Sequence, residues 1–307
     1  MAAIKTRVPE PAKRLYRYAK SFVKYFYYTV KLSSKRYPDI DFMTNKTAVD
    51  EIVFNNKSLA RFGDGEFGWL LGREAACGYQ DVTPELSRRL MEVLQSANEN
   101  LLIGVLRVLN DDTNMNFLAR AHWREFKFQS EDQLLQVLNL GECYVDSSIT
   151  RPYIDLKDKS SASSEFENIK RIWKGKRVLL VEGKESRLGV GNDLFSQSEC
   201  LHRILAPSTN AFSRYDSILA LTKKSAPNYD MVLLALGPTA TVLAYDLCLD
   251  GIQAVDIGHI DNEYEWMRMG ARRKVPIPGK NVDEVGVFTS EASLNTSYLN
   301  SIVGVVD

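Results

Sequence analysis

The sequence predicts an α/β layered fold, a mainly parallel sheet flanked by helices, and three observations carry that prediction. Short apolar runs alternate with amphipathic stretches along most of the chain. Three of those runs empty into loops rich in glycine and polar residues, as strands of parallel sheets do at their carboxyl ends. The composition, 307 residues with 45% hydrophobic and 25% charged content, is that of a soluble globular chain able to bury a sizeable core.

Residues 1–37 come first and are strongly basic. They hold ten Lys or Arg against Glu10 alone, a net of +9, so the rest of this formally neutral chain carries −9. At about 100° per residue, Lys13, Arg17, Lys20, Lys24 and Lys31 share one narrow helical sector, with Leu15, Tyr18, Ala19, Phe22 and Phe26 opposite. Interleaved tyrosines suit a lipid headgroup interface, which satisfies an aromatic body and a polar tip together. The same pattern also fits a helix packed on the protein's own core with a solvated basic face. A body at −9 disfavours nucleic acid.

Past Pro38 the pattern alternates. Helices are expected over 47–55, 83–97, 114–139, 163–173, 211–223 and 238–249; Thr83 caps the second of these, with Pro84 at its first position. Strands are expected over 58–62, 101–105, 143–146, 177–181, 231–236 and 254–257. Residues 157–164, rich in Ser, Lys and Asp, read as a mobile loop or a junction between halves. Cys77, Cys143, Cys200 and Cys248 lack metal or disulfide spacing and read as reduced thiols. No apolar run approaches the roughly 18 to 20 residues that span a bilayer, and the N-terminus lacks a signal peptide's apolar core. The expectation is a cytoplasmic protein.

Four segments carry the candidate chemistry. Gly63-Asp64-Gly65-Glu66 sets two carboxylates two residues apart on a backbone loosened by glycine, which suits a hard divalent cation bridging a diphosphate, or equally a plain turn. The strand over 177–181 runs into a loop holding Arg187, Gly189, Gly191 and Asn192, which resembles a phosphate cradle but also an ordinary Gly-rich turn. It fits neither GxGxxG nor GxxxxGK[ST]. Gly237-Pro238-Thr239 opens a helix after a buried strand, an anion site or simple capping. Last, His259, Asp261, Glu263 and Glu265 share one face if the strand continues; if a helix starts at Asp261, Glu265 follows it at i+4. Such carboxylates serve metal coordination or general-base work.

Together with the stretch from Thr150 to Lys159, which includes Arg151, the motifs RFGDGE, SRLGVGNDLF, LALGPTATVLAYDL and DIGHIDNEYEW resemble the bacterial glycosyltransferases of the GT-D fold, once catalogued as a domain of unknown function. The resemblance runs over about residues 45–285 and omits the basic arm and the last twenty or so residues. It implies a Rossmann-like single domain over 38–307, with 1–37 as an addition. It further implies a UDP-sugar donor, commonly UDP-glucose, and an Asp-x-Glu motif, here Asp64-Gly65-Glu66, holding Mn2+ or Mg2+. The roles expected on both grounds are metal ligands in Asp64 and Glu66, and phosphate and uridine contacts from Arg61, Arg151, Arg187 and Asn192, with Gly191, Gly237 and Thr239 beside them. Glu263 or Glu265 would be the base within the cluster of His259 and Asp261.

The expected reaction moves a hexose to a glycan, glycoprotein or lipid-linked acceptor in cell-surface polysaccharide or glycoprotein synthesis, with the arm in peripheral contact with the inner face of the membrane. A non-catalytic nucleotide-sugar-binding module is the alternative. A different Rossmann-type transferase, such as a methyltransferase, would need a GxGxG loop that the chain lacks.

Overall fold

The computed structural model describes residues 10–35, 38–73, 78–282, 284–285 and 296–307. Its frame is a sheet whose strands are β1 (Asp41–Phe42), β2 (Ser58–Arg61), β3 (Leu101–Val105), β4 (Cys143–Asp146), β5 (Arg177–Gly183), β6 (Cys200–Ala206), β7 (Met231–Ala235), β8 (Ala254–Asp256) and β9 (Ile302–Val305). They lie in the order β1-β4-β3-β2-β8-β7-β5-β6-β9, and every pairing is parallel. A parallel pair cannot be closed by a hairpin, so the connections cross over the sheet, all but that between β5 and β6 carrying a helix.

The described helices are α1 (Glu10–Ser33), α2 (Asn45–Phe54), α3 (Asp64–Leu70), α4 (Pro84–Leu94), α5 (Phe117–Val137), α6 (Ala162–Lys170), α7 (Tyr215–Ser225), α8 (Pro238–Leu249), α9 (Ile260–Arg268) and α10 (Thr296–Ser301). Alternate strand residues feed two cores. Leu179, Val181, Val232 and Leu234 meet α3, α4, α7 and α8 on one face, and Val178, Leu180 and Leu233 meet α2, α6 and α9 on the other. Each fully buried aliphatic or aromatic side chain there contributes about 1.5 to 3 kcal/mol.

The expected strands and helices are all present, with ends moved by a few residues. Thr83 does cap α4, accepting from Leu86 N at 3.1 Å with Pro84 at the first position. Three strands escape the sequence pattern: β1 has two residues, β9 is a half-exposed edge, and β6 contains His202 and Arg203. Arg203 is tolerated in a buried strand because it pairs with the fully buried Glu182 of β5 and donates to Leu188 O at 2.8 Å. The 157–164 segment is no junction, since one sheet runs past it on both sides, and it is pinned: Lys157 N donates to Asn114 O at 2.7 Å, and Lys159 Nζ donates to Ile154 O at 2.9 Å.

Helix α1 does not stand off from the body. Tyr25 and Tyr28 stack on Phe117 and Phe128 of α5 with ring centroids 5.3 and 5.5 Å apart, and Lys24 pairs with Glu125. Lys24 therefore leaves the expected solvated cationic sector. Of the four cysteines, Cys77 lies outside the described residues, and the other three are free. No described helix is long and apolar enough to cross a membrane.

Breaking the Glu182–Arg203 pair is the sharpest test of this packing. Arg203→Met alone is expected to cost about 3 to 5 kcal/mol in chemical denaturation, since it leaves a buried carboxylate without its counter-charge, whereas Glu182→Leu with Arg203→Met recovers most of that. A single variant within about 1 kcal/mol of the parent would show the pair to be dispensable.

Candidate active site

The carboxyl ends of β2, β4, β5, β7 and β8 open into one cleft of about 2060 Å³. From β5 the chain passes outward to β6, and from its neighbour β7 it passes the other way to β8, so the loops after these strands part and leave a crevice. Asp64, Glu66, Arg151, Gly237, His259 and Asp261 line the cleft, as does Arg61. Arg187, Gly191, Asn192, Thr239, Glu263 and Glu265 do not.

Arg61, the last residue of β2, is a joint between strand ends. Its Nε and Nη2 donate to Asp256 O and Oδ1, both at 2.8 Å, and Nη1 donates to Ser147 O at 2.9 Å, just past β4. The fit requires Gly258: its φ is +45°, and a Cβ there would sit 2.0 Å from Arg61 Nη2. Most of the guanidinium's donors are thus spent inside the protein.

The Gly63–Glu66 segment is not a glycine-loosened turn but the start of α3, with Gly63 as N-cap. Residues two apart on a helix diverge, and the two carboxylates have different fates. Asp64 is half exposed, and its Oδ2 lies 3.0 Å from His122 Nε2 of α5. Burial works to raise the Asp64 carboxyl, but the hydrogen bond and charge of His122, helped by Arg151, hold it below the usual carboxylate range. Glu66 turns back to accept from Gly63 N at 2.9 Å. Burial, and then the negative charge of Asp256, push it up to about 7. His122 carried no motif in the sequence; only its position across the cleft from α3 reveals it.

The acidic cluster divides. Residues 260–268 form a helix, with His259 at its N-cap position. Glu263 is fully buried and accepts from Tyr153 N at 3.1 Å and Ile154 N at 2.8 Å, which fixes the loop carrying Arg151. Glu265 accepts from Asn192 Nδ2 at 2.7 Å and pairs with Lys280 at 3.3 Å. Neither lines the cleft, although Glu263 lies 3.6 Å from Arg151, which does. Asp261 reaches the cleft wall but accepts from Gly189 N and Asn192 Nδ2 and pairs with Lys280 at 2.5 Å. His259 lines the cleft, and burial, with Arg151 and Arg61 nearby, holds it down to about 4, so it is neutral at pH 7.

The Gly-rich loop after β5 is an anion cradle, as its composition suggested, but the anions are the protein's own. Leu188 N donates to Glu182 Oε2 at 2.8 Å and Gly189 N donates to Asp261 Oδ1 at 2.8 Å. Arg187 donates to Gly279 O, and Gly191 O accepts from Arg268. At the other loop, Gly237 holds φ +53° against the Tyr79 ring and opens α8 into the cleft, while Thr239 is buried with its hydroxyl unpartnered. Arg151 faces the cleft and is ion-paired with Glu284 at 2.9 Å and Asp155 at 3.4 Å.

Glu263 yields a pH prediction. Burial, which outweighs the charge of Arg151, raises its carboxyl from 4.5 to about 7. A group raised on folding contributes stability that is complete below its ordinary value and is lost as pH rises through 7. Relative to the parent, the melting temperature of Glu263→Gln is therefore expected to gain a few degrees between about pH 5 and about pH 8.5. A difference that stays flat over that range would mean the carboxyl is ionised throughout.

A model of the family described as Glycosyltransferase GT-D fold matches residues 59–285. A solved structure described as domain of unknown function 1792 with a distinct glycosyltransferase fold superposes with a TM-score of 0.83 at 36% identity, covering 94% of this chain and 100% of that one. "Probable glycosyl transferase Gly" of Streptococcus gordonii is 39% identical over 238 residues, 77% of this chain and 34% of its own length. "Glycosyltransferase GlyD" of Streptococcus pneumoniae serotype 4 is 39% identical over 261 residues, 83% of this chain and 32% of its own. The chain thus spans about a third of the length of these two relatives. The matched span begins in β2 and ends beside Glu284, taking in every strand end that builds the cleft, and it places the chain in the GT-D fold glycosyltransferase family.

Proposed function

We propose that the chain transfers a hexose, glucose in the first instance, from a UDP-sugar to a glycan, glycoprotein or lipid-linked acceptor in the synthesis of cell-surface polysaccharide or glycoprotein, with Mn2+ or Mg2+ assisting. The observation that carries this reading is Asp64: an ionised, half-exposed carboxylate on the cleft wall, steadied by His122. Such ions are commonly held by one or two carboxylates together with substrate phosphate oxygens and water, so Asp64 alone suffices as the protein anchor. Glu66 also lines the cleft, with Oε2 held by Gly63 N, and a cation there would favour its ionised form. Bound there, the ion supplies neutralisation of charge on the departing diphosphate.

The chain's own groups support the rest. The α8 N-terminus at Gly237 offers backbone donors to an anion, and Arg151 adds a guanidinium. Lys157, Arg272 and Arg273 stand exposed along the rim, which favours a donor or acceptor carrying phosphate. His259, neutral at pH 7, and Asp261 are the two members of the acidic cluster that reach the cleft and can meet sugar hydroxyls. The withdrawal of Glu263 and Glu265 from the cleft favours the second reading, a nucleotide-sugar-binding module without turnover.

UDP-glucose hydrolysis with Mn2+, with and without EDTA, separates the two. Asp64→Asn is expected to lower the metal-dependent rate by about 10²-fold or more with an unchanged melt. His122→Ala should lower it by about tenfold, partly restored by excess Mn2+, as loss of a residue that orients a ligand does. Full turnover in Asp64→Asn would remove the metal assignment; tight UDP-glucose binding with no turnover in the parent would leave the binding module.

A further inference from the structure

Helix α1 presents two opposite surfaces. Ser21, Lys24, Tyr25, Tyr28, Thr29 and Leu32, three and four residues apart, are the half-buried side turned to the body. Arg124 of α5 covers the Tyr25 ring at 4.4 Å, and Tyr28 Oη donates to Glu125. On the other side Leu15, Val23, Phe26 and Val30, again at helical spacing, are between 50% and 72% exposed, and Phe22, 56% exposed, stands at the boundary with its ring 6.5 Å from Phe117. Lys20 and Lys31 are exposed beside this stripe, and Tyr16 and Tyr27 are exposed with it. A folded helix that is already packed on one side has no packing reason to keep four large apolar groups in water on the other.

We propose that this stripe of α1 seats the protein on an anionic bilayer surface. Charge selects that occupant. Residues 1–37 carry +9 and the remainder −9, so an anionic surface attracts the arm and repels the body, which fixes the orientation of approach. An apolar stripe flanked by lysine and tyrosine lies in the headgroup plane, its rings and aliphatic groups below the cations. The cleft comes with it: Arg17 and Tyr18, on the same helix, line the cleft wall. Docking along α1 therefore brings the helix that forms part of the cleft wall to the membrane surface, near an acceptor whose sugar is carried on a lipid. The docking itself does not depend on the sugar-transfer reading.

Flotation of the full chain with vesicles of phosphatidylcholine, alone or with phosphatidylglycerol, tests the proposal. The parent should float with the anionic vesicles only, and less at high salt. Val23→Glu/Phe26→Glu/Val30→Glu should reduce flotation by about tenfold or more, and Lys20→Glu/Lys31→Glu by about fivefold per reversed cation or more. Both variants should keep the parent's melting temperature and its UDP-glucose binding, so failure of docking is read separately from failure of the proposed reaction. Equal flotation of parent and triple variant would overturn the proposal. So would a parent that does not float, or one that is dimeric in light scattering while the triple variant is monomeric; the last result would make the stripe a contact between copies.

Discussion

The site hangs on the Arg61–Asp256 joint. One guanidinium ties the ends of β2 and β8 and the turn after β4, and these are the segments that go on to carry Asp64, His259 and Arg151. Asp256 is buried, which holds its carboxyl above the usual carboxylate range even though the charge and hydrogen bonds of Arg61 pull it down. Removing either partner of such a pair strands the other in low dielectric. The joint also reaches the chemistry electrostatically, because the charge of Asp256 is the second cause, after burial, of the raised carboxyl of Glu66. The close packing needed around it explains glycine on both sides: a Cβ at Gly104 would press on Arg61 Cγ at 3.2 Å, and one at Gly258 on its Nη2.

A second principle runs through the cleft walls. Groups that look like ligand donors are largely satisfied by groups of opposite sign within the protein. The loop after β5 directs its amides at Glu182 and Asp261; Asn192 bridges Asp261 and Glu265; Lys280 neutralises the same two carboxylates. This network ties α9 to the β5 loop and gives the crevice a rigid wall. Other polar groups among the described residues still line the opening, among them Asp64 with His122, Arg151, His259, the N-terminus of α8 and the rim cations Lys157, Arg272 and Arg273.

Helix α1 shows how one amphipathic sequence can serve two surfaces. Tyr25, Tyr28 and Lys24 meet α5 through ring stacking and an ion pair, and Leu15, Val23, Phe26 and Val30 face outward. That distribution inverts the usual soluble helix, in which the aliphatic side is the one buried.

The sequence by itself determined the layered architecture, because period-2 and period-3.6 patterns are local and the buried strands of a parallel sheet read as continuous apolar runs. It also marked the segments at the cleft, since glycine and polar residues cluster where strands end. It could not decide which polar residues of those segments face outward. Asp64 and Glu66 look equivalent in the chain, yet a helix start at Asp64 sends one carboxylate to His122 and returns the other to Gly63 N. Glu263 and Glu265 look alike as candidate bases, and only the packing of α9 shows that one accepts from Tyr153 N and the other from Asn192 Nδ2. His122, 58 residues beyond Asp64, and Arg203, a cation inside β6, have no local signal at all. Their partners lie on other elements, and a contact between distant segments exists only once the sheet has brought their ends together.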